Sequence, residues 1–216
     1  MKKSYYICLR RKFSLGIIAS GLFFTGWEVA PLISRQLTKA YSESASASKP
    51  TKFREWRYLV IHHSGARSGN EKIIHEFHLK RGMENGMAYH FLIGNGSAGL
   101  GDGIIVEGHR WKHQLQGGHC NQDYLNKYGI GICLVADCNR SSPTPQQMKS
   151  LARLVYLLQA QFGIPNDRIH GHGDFFGEET TCPGRLFPWK NLWEEVEATH
   201  ALHVSSNSVL HASIEE

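Results

Sequence analysis

Ile130-Gly131-Ile132-Cys133-Leu134-Val135 is an unbroken apolar run with no polar alternation. A strand with one face in water alternates, so this one is expected at the centre of a sheet covered on both faces. Working outward, Arg57-Tyr58-Leu59-Val60-Ile61 is rich in β-formers and ends at His62-His63-Ser64-Gly65. Tyr89-His90-Phe91-Leu92-Ile93 reads as a strand followed by the turn chemistry of Gly94-Asn95-Gly96, and Ile104-Ile105-Val106-Glu107 reads as another. Arg168-Ile169-His170 is a short strand leading into Gly171-His172. Helices are predicted between these strands. Glu71 to Arg81 places Ile73, Ile74, Phe77 and Leu79 at near-helical spacing and stops at Gly82. Thr144 caps the clearest helix and Pro145 suits its first turn, where a missing N–H costs nothing. Its apolar stripe is Met148, Leu151, Leu154, Val155, Leu158 and Phe162, and Gly163 ends it. A last helix opens at Pro188-Trp189 and carries Leu192, Trp193 and Val196. The alternation predicts an α/β fold, a mixed central β-sheet flanked by helices.

A chain of 216 residues, 41% of them hydrophobic, holds one core plus extensions. The formal net charge is +5, but it sits at one end. Residues 1–47 carry seven basic side chains and two acidic ones, and the remainder balances 17 against 17. The basic character therefore gives no argument for nucleic-acid binding. Residues 1–35 read as an export signal or N-terminal membrane anchor. Lys2, Lys3, Arg10, Arg11 and Lys12 precede an apolar run from Phe13 to Ala30, and Leu9 to Leu15 resembles a twin-arginine signal. Ala45-Ser46-Ala47 has cleavage-type residues, whereas an uncleaved run of about 18 apolar residues just spans a bilayer and would bring membrane contact. Export to the periplasm or cell envelope is the expectation. Residues 36–54 read as a linker, 55–198 as the domain, and 199–216, with His200, His203 and His211, as a mobile polar tail. A monomer is expected.

The chemistry gathers in two stretches more than a hundred residues apart: the His62-His63 pair, and His172 with Thr180-Thr181-Cys182-Pro183-Gly184. Two imidazoles and a thiolate make a three-ligand set for zinc with the fourth position open, as a catalytic zinc requires. In a strand, His62 and His63 face opposite ways, so one of them binds; the residues alone do not say which. Cys182 lies ten residues after His172, so the loop between must fold back. Cys120, Cys133 and Cys138 permit a disulfide whose pairing the sequence does not fix. Cys133 itself reads as a small buried hydrophobe in a strand.

The domain resembles the zinc-dependent N-acetylmuramoyl-L-alanine amidases, the family of phage T7 lysozyme and the peptidoglycan recognition proteins. The matching pieces, in the family's order, are Val60 to Ser64, Gly86 to Ile93, Gly117 to Asn121, Tyr128 to Val135, Gly171 to Asp174 and Thr180 to Gly184. The resemblance implies zinc ligands at His62, His172 and Cys182, and catalytic roles for Tyr89 and Thr180. It implies hydrolysis of the muramoyl–L-alanine amide in peptidoglycan or muropeptides, with a Tyr89 O–H donating to the oxyanion. His119, His63, Trp111 and Asn121 are candidate substrate contacts. Related cytoplasmic amidases carry a glutamate base where this chain has Cys133; Glu107 is the nearest alternative by sequence. Two other readings stand beside this one: a non-catalytic peptidoglycan-binding module, and a hydrolase using Cys182 as nucleophile with a histidine.

Overall fold

The computed structural model describes residues 53–212, with side chains described to residue 203. The chain divides into two units, Met1–Ser48 and Lys49–Glu216. The expected export segment and most of the expected linker lie outside the described residues. Among the described residues no helix is long and apolar enough to cross a membrane.

Five strands form one sheet: β1 (Tyr58–His63), β2 (Phe91–Ile93), β3 (Ile105–Glu107), β4 (Gly129–Leu134) and β5 (Ile169–Gly171), in the order β3-β2-β4-β1-β5. The neighbours are parallel except for β3, which pairs antiparallel with β2 at the edge. Every residue of β4 is buried, as its unbroken apolar run requires of a central strand. The register sets Leu92, Cys133 and His62 side by side on one face. The other face carries Leu59, Ile61, Phe91, Ile93, Ile130, Ile132 and Leu134, packed against two helices in the main core.

Those helices are α4 (Pro145–Phe162) and α5 (Trp189–Ala212). Thr144 caps α4 in a full capping box with Gln147, and Gly163 closes it at φ 66°. Gln147 is also buried, and its Nε2 donates to Ile93 O and Val135 O at 3.1 and 3.2 Å. That pins the start of α4 to the ends of β2 and β4. The site face is covered by α1 (Glu71–Lys80), with Ile74 packed against Met87, Leu92, Cys133 and Val135. Of its four apolar residues only Ile74 is buried; Ile73, Phe77 and Leu79 are exposed. Two short helices, α2 (His109–Lys112) and α3 (Asp123–Tyr128), complete the fold.

Both expected boundaries shift. Phe53 and Arg54 belong to the packed domain rather than to the linker. The Phe53 ring lies 5.4 Å from Phe162 and 5.9 Å from Trp111, and Arg54 N donates to Gln114 Oε1 at 3.2 Å. At the other end, α5 continues past residue 198 to Ala212. His200 and His203 meet the Tyr156 ring at 5.8 and 5.5 Å. A helix whose first turns are docked extends without needing an apolar stripe of its own, so the polar composition of 199–212 does not stop it.

Candidate metal centre and active site

Because β1 and β5 are parallel neighbours, their C-terminal ends fall at the same edge of the sheet, where ligands collect in α/β folds. His62 stands near the end of β1, and β5 runs directly into a turn, His172–Asp174, that presents His172 beside it. Their rings are 4.6 Å apart. Cys182 returns to the pair because Gly173 N donates to Cys182 O at 2.6 Å. A Cβ at Gly173 would collide with Thr180 O, so this closure needs a glycine. The donor atoms of His62, His172 and Cys182 all lie within 4.8 Å of one another.

The chemistry of the donors fits a zinc-type ion. His62 Nδ1 sits 3.7 Å from Cys182 Sγ. Ligand bonds of about 2.0 Å to nitrogen and about 2.3 Å to sulfur at a tetrahedral angle separate two such atoms by roughly 3.5 Å. The other ring nitrogens are occupied: His62 Nε2 lies 3.1 Å from His119 Nδ1, and His172 Nε2 lies 2.7 Å from Glu178 Oε2. Burial, reinforced by His119 and His172, lowers the His62 pKa well below the ordinary value, so the ring is neutral and its free lone pair is available to a cation. The Cys182 thiol is pushed up to about 12 by burial, although the His63 N–H at 3.4 Å partly offsets that. With no cation present it is a thiol rather than a free thiolate.

Tyr89 adjoins this set, its ring 5.0 Å from that of His62. Burial first, and the neighbouring Cys133 thiol next, raise its pKa well above the ordinary phenol value, so it keeps its O–H. Thr180 is exposed, and its Oγ1 accepts from Cys182 N at 3.2 Å, which braces the thiol from outside. Asn121 is exposed at the rim, tied in through its backbone N–H to Glu178.

Three residues expected to touch substrate are placed elsewhere. His63 turns to the opposite face, as strand geometry demands, and its Nδ1 accepts from Cys138 N at 2.9 Å. His119 is buried beneath β4 rather than presented by an open loop. Trp111 packs into the core, 4.6 Å from Phe91 and 6.3 Å from Trp56. Trp111→Ala is therefore expected to cost about 3 kcal/mol of stability while leaving KM for a substrate at the metal site unchanged, which denaturant melts and steady-state kinetics would separate.

The remaining candidates for proton transfer are also limited. Glu107 is exposed on β3, with β2 and β4 between it and His62. Cys133 is fully buried, which raises its pKa well above the ordinary value and makes it an inert thiol. Cys120, Cys133, Cys138 and Cys182 are all free, so no disulfide joins the described cysteines. Sequence reasoning missed Glu178. Its only signal was the long loop after His172 with the acidic pair Glu178-Glu179 inside it.

A single α/β sheet gathers two imidazoles and a thiol at the ends of parallel strands, a set that could hold a metal ion. The chain belongs to the N-acetylmuramoyl-L-alanine amidase family, whose family model matches residues 52–185. It is similar to the N-acetylmuramoyl-L-alanine amidase LysC from Clostridium intestinale URNW, at 28% identity and a TM-score of 0.57, over 67% of this chain and 87% of that one. The endolysin amidase LysCS from the same organism matches at 28% identity and a TM-score of 0.57, covering 67% and 85%. Human PGRP-IBETAC, solved in complex with glycosamyl muramyl pentapeptide, shares the fold at 21% identity and a TM-score of 0.51, covering 67% and 89%. Among curated proteins there is no significant match.

Proposed function

We propose that this chain is a zinc-dependent N-acetylmuramoyl-L-alanine amidase that hydrolyses the amide joining the glycan to its stem peptide. One observation carries the reading: His62, His172 and Cys182 converge within 4.8 Å, with the protonated phenol of Tyr89 against His62. His62, His172 and Cys182 would hold the ion. Zinc bound there supplies Lewis acidity and a water that ionises near neutral pH. Tyr89 donates its O–H to the oxygen that gains charge as the amide carbonyl is attacked. It does so without bringing a formal charge of its own, from a half-buried position against His62. Thr180 steadies the Cys182 backbone. Glu178 is not a free base: its carboxylate is occupied by three N–H partners. Burial alone would raise its pKa, but the Asn121 and Gln122 amides and His172 outweigh that and hold it below the ordinary value.

A thiol nucleophile at Cys182 fits poorly, because its burial keeps the proton on sulfur near neutral pH. The basic and apolar N-terminal sequence supports export to the periplasm or cell envelope, where the wall polymer lies. The test is mass spectrometry of muropeptides after incubation of purified wall with the protein. New L-alanine amino termini are expected, lost with EDTA and regained with zinc. Bound zinc without new termini would leave a binding module; turnover that survives EDTA would point to the thiol.

A further inference from the structure

We propose that His119 and Glu178 are positioning residues that fix both ligand histidines as Nδ1 donors before any metal arrives. The inference rests on the metal-site reading above and extends it to residues one layer further out.

The argument starts from groups that cannot donate. Gly129 O is a carbonyl and only accepts; it lies 3.4 Å from His119 Nε2, so that nitrogen carries the hydrogen. His119 is buried among other imidazoles, and in the neutral ring its Nδ1 is then a lone pair. Two neighbours face that lone pair, His62 Nε2 and the Cys120 thiol, each at 3.1 Å. A hydrogen on His62 Nε2 satisfies it, which leaves Nδ1 bare toward Cys182 Sγ at 3.7 Å. The second relay is shorter. Glu178 is a carboxylate that also only accepts, so His172 Nε2 at 2.7 Å is the nitrogen that carries a hydrogen, and in the neutral ring His172 Nδ1 is bare.

The surroundings hold both relays in place. A Cβ on Gly131 or on Gly117 would run into the His119 ring, so two glycines leave the space that this ring fills. The Glu178 side chain is completely shielded from solvent, and its two oxygens also accept from Asn121 N at 3.0 Å and Gln122 N at 2.8 Å. The same contacts bear on two competing ligand groups, His62–His119–Cys120 and Cys120–His172–Glu178. The first of those sets would draw on the His62 and His119 nitrogens that already face each other, whereas His62–His172–Cys182 includes the sulfur that His62 Nδ1 faces at 3.7 Å.

The test uses the full chain labelled with 15N in its histidine rings, with zinc removed. Long-range proton–nitrogen correlation is expected to show His62 and His172 protonated at Nε2 and bare at Nδ1. His119→Ala should turn His62 into a mixture of tautomers and leave His172 unchanged; Glu178→Gln, which offers one acceptor oxygen to three donors, should do the reverse. Each should weaken zinc binding about 10- to 100-fold in a chelator competition. A role for Glu178 limited to bracing the 121–122 backbone would weaken zinc without moving the His172 tautomer, and that result overturns the proposal. So does an Nδ1-protonated His62 or His172 in the unsubstituted protein, a measurement that needs no variant to fold. Failure of the unsubstituted chain to bind zinc would instead sink the metal reading itself, and it would be visible before any variant is compared.

Discussion

Cys182→Ala is expected to abolish stoichiometric zinc binding and, with it, hydrolysis. The sulfur is the one anionic ligand of the three. Without it, two neutral imidazoles remain, and their bonds alone must hold a divalent ion against water. Removing even an outer hydrogen-bond partner of a ligand costs about 10- to 100-fold in affinity, so loss of the thiolate should exceed that range. Cys182→Ser is expected to fail as well, because a serine hydroxyl keeps its proton where a metal-bound thiol gives its own up. Neither change should unfold the domain. The side chain accepts only weakly from His63 N, at 3.4 Å, and the loop is closed by backbone through Gly173 and Cys182 O. Metal analysis after dialysis, beside circular dichroism, reads both points. One equivalent of zinc retained in Cys182→Ala would move the ion to one of the sets containing Cys120.

That the candidate cluster of His62, His172 and Cys182 was legible in the sequence, with the family resemblance, while its surroundings were not has a physical basis. Strands and strand ends announce themselves. The apolar run at 130–135 could only be a doubly covered strand, and the Thr144-Pro145 start with its stripe could only be the long helix against it. His62 and His172 lie at the ends of such elements, so locating the elements put both at one edge of the sheet, and the family resemblance chose His62 over His63. Side-chain positions that depend on a third element leave no local pattern. Trp111 looks like an exposed aromatic in a loop, yet four distant rings (Phe53, Trp56, Phe91 and Phe162) enclose it. His119 sits in a glycine-rich stretch that suggests an open loop, but the glycines admit the ring into the interior instead. Glu178 reaches His172 only because the loop after His172 doubles back, a shape that residue types do not encode. Helices α2 and α3 are too short to show a period. The helical course of 199–212 is hidden for the converse reason, since it continues from a docked start rather than from its own composition.

Two buried histidines show the same dependence on context. His90 is fully buried, yet its hydrogen-bond partners are only backbone: Nδ1 accepts from Gly131 N at 2.9 Å and Nε2 donates to Leu115 O at 3.1 Å. Burial depresses its pKa to about 3, so it is a neutral strut between β4 and the loop before Gly117. His62 is just as buried, but both of its nitrogens face side chains, Nε2 toward His119 and Nδ1 toward the Cys182 sulfur. A strut and a candidate ligand differ here in whether the ring nitrogens face backbone or another side chain.

Tyr89→Phe isolates chemistry from binding. It deletes one oxygen, leaves the ring against His62 and His78, and removes no metal ligand. Zinc content is expected to stay at one equivalent, and the stability loss to stay near about 1 kcal/mol, since the partner given up is the Cys133 thiol, a weak hydrogen-bonding group. The expected effect is on kcat, a fall of about 100- to 1,000-fold, the range seen when a single oxyanion donor is removed. KM should change little, because the donor is aimed at charge that develops only as the carbonyl is attacked. The pH profile gives a second check. Burial and the neighbouring thiol hold the phenol well above its ordinary pKa without a metal, so Tyr89 is expected to act as a protonated donor. Any alkaline limb near neutral pH must then belong to another group and persist in Tyr89→Phe at the lower rate. A variant with unchanged kcat would take Tyr89 out of the reaction, and a limb that vanishes with the hydroxyl would mean that the phenol titrates and acts as a base rather than as a fixed donor.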